Sequence, residues 1–376
     1  MYWQREFLRS AEPWTNGGTL KLDLPKNGYL GSIQIHAKRA GITDALNAVL
    51  RWRLLDYISK VEVIANGSTP LKSVTGEVAK ALTFFDGGGP VPDQEFNYGG
   101  STKRAHFMIN FGRKLFDKSF GLDLSKFSSV ELQLTNDGSS TYFAGDWAVD
   151  VLCYYLRGGD APAPEGFFRT EEWRKWTTVQ AEKKYLELPT DMALRRIVLQ
   201  VLAAAGTNAN ADTQSYNVLD LIELYLKTGT LKVMDHSLRE LWYENLFHYG
   251  RQPMVGLEPY HTSLYGIKTG LGQTLAKAAV ALPQGMLSAT PTIALEPGGD
   301  NMTQKILRTG TDNASMIMIG LGLENCAVIP FDQDDDPEAY LDTSAEATVQ
   351  LNCRTADSSS ADNGTIRVVT DRLVRY

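Results

Sequence analysis

Cysteine is nearly absent from this chain: Cys153, Cys326 and Cys353 are the three in 376 residues. They show no metal-ligand spacing, and an odd number cannot form a complete disulfide framework. The start, Met1-Tyr2-Trp3-Gln4-Arg5, lacks the basic-then-apolar layout of a secretion signal. Both features point to a reduced chain made in the cytoplasm. Long apolar runs are also missing. The longest, residues 197–205, is half of the roughly 18–20 residues that a membrane-spanning helix needs. Histidine is sparse, and His36, His106, His236, His248 and His261 form no His-x-x-x-His pair. There is no phosphate-binding Walker loop and no Gly-x-Ser-x-Gly nucleophile elbow. Gly270-Leu271-Gly272 begins like a dinucleotide loop but lacks the third glycine and a preceding strand. These absences leave little for an enzyme or a cofactor to use. Excess positive charge is missing too, since a net charge of -7 argues against direct wrapping of nucleic acid.

What the chain does have is itself, twice. Leu22-Asp23-Leu24-Pro25 recurs as Leu186-Glu187-Leu188-Pro189, 164 residues later. The alternating Ile33, Ile35, Ala37 recurs as Ile197, Leu199, Val201, and Asp56-Tyr57-Ile58 as Asp220-Leu221-Ile222. Arg5 pairs with Arg169, Gly67 with Gly229, Leu71-Lys72 with Leu231-Lys232 and Val78 with Leu238, so the offset shrinks from 164 to 160. Solenoid units run about 20–50 residues. A repeat this long means a duplicated domain.

Within each copy the apolar residues alternate, the period of half-buried strands. Leu20/Leu22/Leu24, Val61/Val63 and Val130/Leu132/Leu134 are examples, with glycine-containing turns such as Asn66-Gly67 and Asn363-Gly364 between strands. Helix signals are few and fall at matching places. Thr75 caps a predicted helix over residues 76 to about 85, and Ser237 caps its counterpart through Leu238, Leu241, Trp242 and Leu246. A third helix is predicted over residues 42–57, with a loop over 208–217 as its counterpart. The stretch 158–166, rich in Gly, Pro and Ala, has no apolar anchor and reads as a linker. The expected organisation is therefore residues 1–160, a linker at 161–166, and residues 167–376 with long loops around 250–300. Many short strands, glycine turns and few helices imply an all-β chain of two tandem jelly-roll sandwiches with a few short helices.

Charge is uneven. Residues 1–60 carry a net +4 and residues 331–362 a net -8. Asp332, Asp334 and Asp336 alternate, offering hard oxygens of the kind calcium takes. The stretch departs from the EF-hand pattern, with Pro337 where glycine is required and Thr343 where glutamate is required. A solvated acidic loop is the competing expectation. No other cofactor is expected.

Two fused jelly rolls in one chain resemble the double jelly-roll major capsid proteins of tailless icosahedral viruses, the lineage of adenovirus, tectivirus and corticovirus shells. The resemblance lies in repeat layout across nearly the whole chain. Its local pieces are residues 58–67 followed by a short helix, and Leu115-Phe116 through Gly121-Leu122-Asp123-Leu124 ahead of the strand from Val130 to Leu134. It implies a non-enzymatic role. Homotrimers would form pseudo-hexagonal capsomers that tile an icosahedral virion with neighbouring capsomers, penton and minor capsid proteins. It also implies an inward-facing N-terminal arm, with Arg5 and Arg9 toward an internal membrane or the genome, removable without loss of the trimer. The alternative is a carbohydrate-binding or glycoside-hydrolysing two-domain β-sandwich protein, which would need a carboxylate pair in a cleft. A duplicated cupin is disfavoured because His36 is matched by Gln200.

Overall fold

The computed structural model describes residues 1–41, 54–87, 96–97, 102–138, 143–158, 163–204, 215–227, 229–250, 254–257, 267–270, 274–281, 292–298, 301–307, 315–332, 336–346 and 348–376. The first half contributes β1 (Tyr2–Trp14), β2 (Thr19–Asp23), β3 (Tyr29–Gly41), β4 (Ile58–Ala65), β5 (Thr69–Val74), α1 (Gly76–Gly87), β6 (Thr102–Asn110), β7 (Val130–Asn136) and β8 (Phe143–Arg157). The second contributes β9 (Gly166–Thr177), β10 (Lys183–Glu187), β11 (Leu194–Leu202), β12 (Leu219–Leu226), β13 (Leu231–His236), α2 (Leu238–Tyr249), β14 (Cys326–Pro330), β15 (Gln350–Thr355) and β16 (Thr365–Arg375). Each strand thus has its counterpart eight strands later.

The pairing repeats strand for strand. In the first half β1-β8-β3-β6 faces β2-β7-β4-β5, and in the second β9-β16-β11-β14 faces β10-β15-β12-β13. This strand order is that of a jelly roll, two antiparallel sheets closed over one core. Even the irregularities recur. The bulge at Phe7/Arg9 of β1 returns at Glu172/Arg174 of β9. The one that skips Gly31 in β3 returns at Arg195 in β11. Those in β4 and β5 return in β12 and β13. Bulges re-aim a strand and are built-in features of a fold, so their recurrence fixes the true register of the duplication. Leu71 matches Val233 and Thr75 matches Ser237, two residues away from the sequence pairing of Leu71 with Leu231. Arg5 matches Thr170 in place of Arg169. Conservative apolar patterns tolerate such slips, but a hydrogen-bonded ladder does not.

The two halves also share a sheet. β5 pairs in parallel with β9, Lys72 opposite Thr170 and Ser73 opposite Glu171, which makes one eight-stranded sheet out of half of each sandwich. β11 is consequently buried along its whole length. Its Ile197 and Leu199 fill the second core, whereas Val198, with Val328 and Val369, joins the first. A strand covered on both faces reads as a continuous apolar run, as residues 197–205 do.

The capped helices are present. Ser237 forms a full capping box with Glu240, and Thr75 Oγ1 accepts from the Val78 N–H. Asn66 and Gly67 both adopt positive φ (52° and 76°), the turn that joins twisted strands most readily. Three expectations need comment. Residues 42–53 of the predicted third helix lie outside the described residues, and Leu55–Tyr57 form a short 3-10 turn. The loops expected around 250–300 contain strands: Met254–Leu257 and Thr274–Ala281 pair with Ser315–Leu321, and Ile267–Gly270 and Thr292–Gly298 pair with Asn301–Leu307. The alternation Ile293/Leu295 marks the strand Thr292–Gly298, but alanine and glycine dilute the alternation elsewhere, as in Thr274-Leu275-Ala276-Lys277-Ala278, and hide the others. Finally, residues 2–14 are not a free arm. They are a 13-residue edge strand paired with β8.

Candidate functional site: the seam between the sandwiches

The seam between the sandwiches concentrates charge where charge is costly. Arg195 and Arg196 on β11 are buried, as are Asp371 on β16 and Lys72 on β5, and Asp86 at the end of α1 is half-buried with its side chain 6% exposed. Arg196 Nη2 lies 2.7 Å from Asp86 Oδ1, and its Nε lies 3.0 Å from Asp371 Oδ2. Arg195 lies 3.2 Å from Asp86, 3.5 Å from Asp371 and 2.7 Å from Asp332. Lys72 Nζ donates to Thr170 Oγ1 at 2.7 Å, and Thr170 in turn donates to Asp371 at 2.6 Å. Asp86 and Lys72 come from the first sandwich and the arginines from the second, so the ions tie the two together. A second bridge, Lys80 Nζ to Glu324 Oε1 at 3.0 Å, joins α1 to the second sandwich.

Burial alone would drive protons off these cations and onto these acids. Burial does win at Lys72, whose pKa is pushed down to about 8 in spite of Asp371 and Asp86. Burial would likewise lower Arg195, but Asp86, Asp371 and Asp332 outweigh it and hold the guanidinium charged. Burial would raise Asp371, but Arg196, Lys72 and Arg195 outweigh it and keep the carboxylate below its usual range. The network is thus charged at neutral pH and mutually compensated.

The acidic stretch is partly absorbed here. Asp332 turns inward onto Arg195, and Asp336 caps a short turn by accepting from the Glu338 N–H. Asp334 lies outside the described residues. Two of the three candidate calcium ligands thus already serve an arginine and a backbone amide. Among the described residues no three His, Cys, Asp or Glu side chains gather as a metal site would require. Arg5 lies 5.9 Å from the rings of Phe116 and Tyr154, and Arg9 lies 3.7 Å from Glu12. Both are exposed on β1.

The histidines that look scattered in sequence are not all so in space. His36 and His106 face each other across β3 and β6, ring centroids 6.1 Å apart. Burial holds both below the usual histidine range, with Asp150 pulling His36 back only in part. All three cysteines are free and buried, and burial raises the Cys153 thiol to about 11 and that of Cys353 to about 12. Beside the seam a cleft of about 610 Å³ opens between Lys60, Glu77 and Asp137 of one sandwich and Glu172, Lys175 and Arg367 of the other.

Of this site the sequence carried one unread signal. Two adjacent arginines interrupt an otherwise apolar strand, Leu194-Arg195-Arg196-Ile197-Val198-Leu199. Such charges must find buried partners, and those partners lie 175 residues downstream and 110 upstream, beyond any local pattern.

No protein-family model matches the sequence, and no curated protein matches it. Solved structures do. The major capsid protein of Sulfolobus turreted icosahedral virus superposes with a TM-score of 0.61 at 11% identity, over 100% of this chain and 97% of its own. The chain has the double jelly-roll fold. Major capsid protein P2 of bacteriophage PM2 shares it with a TM-score of 0.55 at 11% identity, over 99% of this chain and 98% of its own. The PBCV-1 virus capsid does so at 0.55 and 10% identity, over 99% and 93%. At such identities the likeness is one of fold. In this double jelly roll the halves of the duplication are the two rolls, and the shared sheet and the ionic seam join them.

Proposed function

We propose that this double jelly-roll protein is a viral major capsid protein. It trimerises into pseudo-hexagonal capsomers that self-assemble into an icosahedral shell. One observation carries the reading: two complete jelly rolls share a sheet in one chain, and capsid proteins match that arrangement end to end. Three such chains present six similar sandwiches, a near-hexagon that tiles a closed surface with one kind of protein. Closed sandwiches leave few bare strand edges, so assembly runs through chosen surfaces. The work is done by association and not by a reaction. Partners would be further copies, neighbouring capsomers, and penton and minor capsid proteins. The chain would be made in the host cytoplasm and end in the virion. The start of β1, with Arg5 and Arg9, would lie on the inner side, toward an internal membrane or the genome.

The test is the solution mass of the purified protein by light scattering, with negative-stain images of the same sample. Three times 41.6 kDa with a hexagonal outline is expected. A stable monomer or dimer at every concentration overturns the reading.

A further inference from the structure

Because the chain is a duplication, each position in one sandwich has a control in the other. Three pairs differ sharply in exposure. Phe85 and Phe247 both stand ten residues after their helix caps, Thr75 and Ser237, yet Phe85 is 6% exposed and Phe247 86%. Leu71 and Val233 are both skipped by the same bulge, yet they are 2% and 46% exposed. Phe167 and Tyr2 start the matching strands β9 and β1, yet they are 3% and 61% exposed. The buried member of each pair lies at the internal seam. Phe85 packs on Tyr249 of the second sandwich with ring centroids 5.0 Å apart, β5 is zipped to β9, and Phe167 meets Phe127 of the first sandwich edge to face. The exposed member lies at the same place on a sandwich that has no such neighbour among the described residues.

We propose that a second copy of the chain supplies that neighbour. The surface made by α2 and β13 of one copy docks on the β1 edge of the next, as α1 and β5 dock on β9 inside each copy. This rests on the self-assembly reading above and assigns its contact. The contact is head-to-tail, so it closes a ring when the rotations complete a turn. Exposed large apolar side chains on both faces (Leu231, Val233, Tyr243 and Phe247 against Tyr2 and Phe7) fit an occupant that removes them from water. Charge agrees in sense. The segment after β14, with exposed Asp336 and Glu338, corresponds to the one after β6, whose Phe120 packs on Phe168. In the next copy the position of Phe168 is that of Trp3, two residues from exposed Arg5. The chemistry of the two contacts differs where confusion would matter. Lys72, Arg195, Arg196 and Asp371 correspond to Met234, Gly31, Ser32 and Tyr154, so the buried ions belong to the internal seam alone.

The test is sedimentation velocity on the full-length wild type, Phe247→Glu, Val233→Lys and Tyr2→Glu, with the thermal midpoint of each. These side chains are exposed, so the midpoint of the isolated chain should stay at the wild-type value. The wild type is expected to sediment as an oligomer, and each variant to dissociate at least tenfold more readily. Phe247→Glu and Tyr2→Glu each damage only one side of the contact, so a mixture of the two should form heterodimers that neither forms alone. An oligomeric wild type with all three variants unchanged overturns the assigned surface and leaves the capsid reading standing. Variants that dissociate but a mixture that stays monomeric overturn the head-to-tail docking. A wild type that is monomeric at every concentration overturns both.

Discussion

Replacing Asp371 by Asn changes one charge and almost no volume, and the seam makes the outcome calculable. The Asp371 carboxylate is fully buried, accepts from Arg196, Arg195 and Thr170, and lies near Lys72. In the variant three buried cations, Lys72, Arg195 and Arg196, face two acids, Asp86 and Asp332. Breaking one side of a buried ion network costs about 3–5 kcal/mol, because a charge is left uncompensated away from water. No cavity term adds to this, since Asn fills the same space. With an unfolding entropy of about 2.1 cal/mol/K per residue, 376 residues give roughly 0.8 kcal/mol/K, and the loss becomes a fall of about 4–6 °C in Tm. Calorimetry at one fixed protein concentration reads this directly. The pH dependence supplies a second reading. A carboxylate held below its usual pKa gives stability that is present at neutral pH and lost as pH falls through the folded value. The wild type should therefore lose stability on acidification faster than Asp371→Asn. A fall in Tm under 1 °C, with unchanged acid dependence, would refute the account of the seam as a compensated ionic joint.

Other outcomes follow from single residues. Lys72 titrates near 8 when folded and near its usual 10.5 when unfolded. Between those values the unfolded chain holds the extra proton, so wild-type stability should rise with pH across that window relative to Lys72→Met. Parallel denaturation curves for the two proteins would dismiss this. Ile197→Ala should cost about 2–5 kcal/mol in urea unfolding, because the side chain is fully buried in the second core. A loss under about 1 kcal/mol would mean that the strand does not face that core. Cys153, Cys326 and Cys353 should resist an aromatic disulfide reagent at pH 8 until the protein unfolds, since burial raises all three thiols. A thiol that reacts at the rate of a free one would contradict its place in the fold.

The sequence revealed what local chemistry writes down. The alternation of Val61, Val63 and Ala65 marks a half-buried strand, and Thr75 and Ser237 mark helix starts, because each signal depends on neighbours within a few residues. Repetition of those signals then exposed the duplication and, through it, the fold. The register of the repeat was less legible, because a bulge shifts pairing by one residue without leaving a mark in an apolar pattern. β1 was missed as a strand because Arg5, Glu6, Arg9 and Glu12 crowd a mostly exposed edge from which only Leu8 and Trp14 reach the first core, so little alternation is required of it. The seam was hidden for a different reason. Its partners, Asp86 with Arg196 and Lys72 with Asp371, are far apart along the chain, and only the pairing of β5 with β9 brings them together.

The placement of β16 has a consequence for how the chain is made. The first sandwich has all its strands once synthesis passes Arg157, because β8 then reaches between β1 and β3. The second cannot close until its last strand arrives, since β16 lies between β9 and β11 and brings Asp371 with it. A chain that stops short of β16 therefore has all eight strands of the first sandwich and an incomplete second sandwich, with Arg195 and Arg196 lacking Asp371. Domains fold as units during synthesis, N-terminal first. The order of strands therefore leaves the ionic joint without Asp371 in any chain not translated through β16.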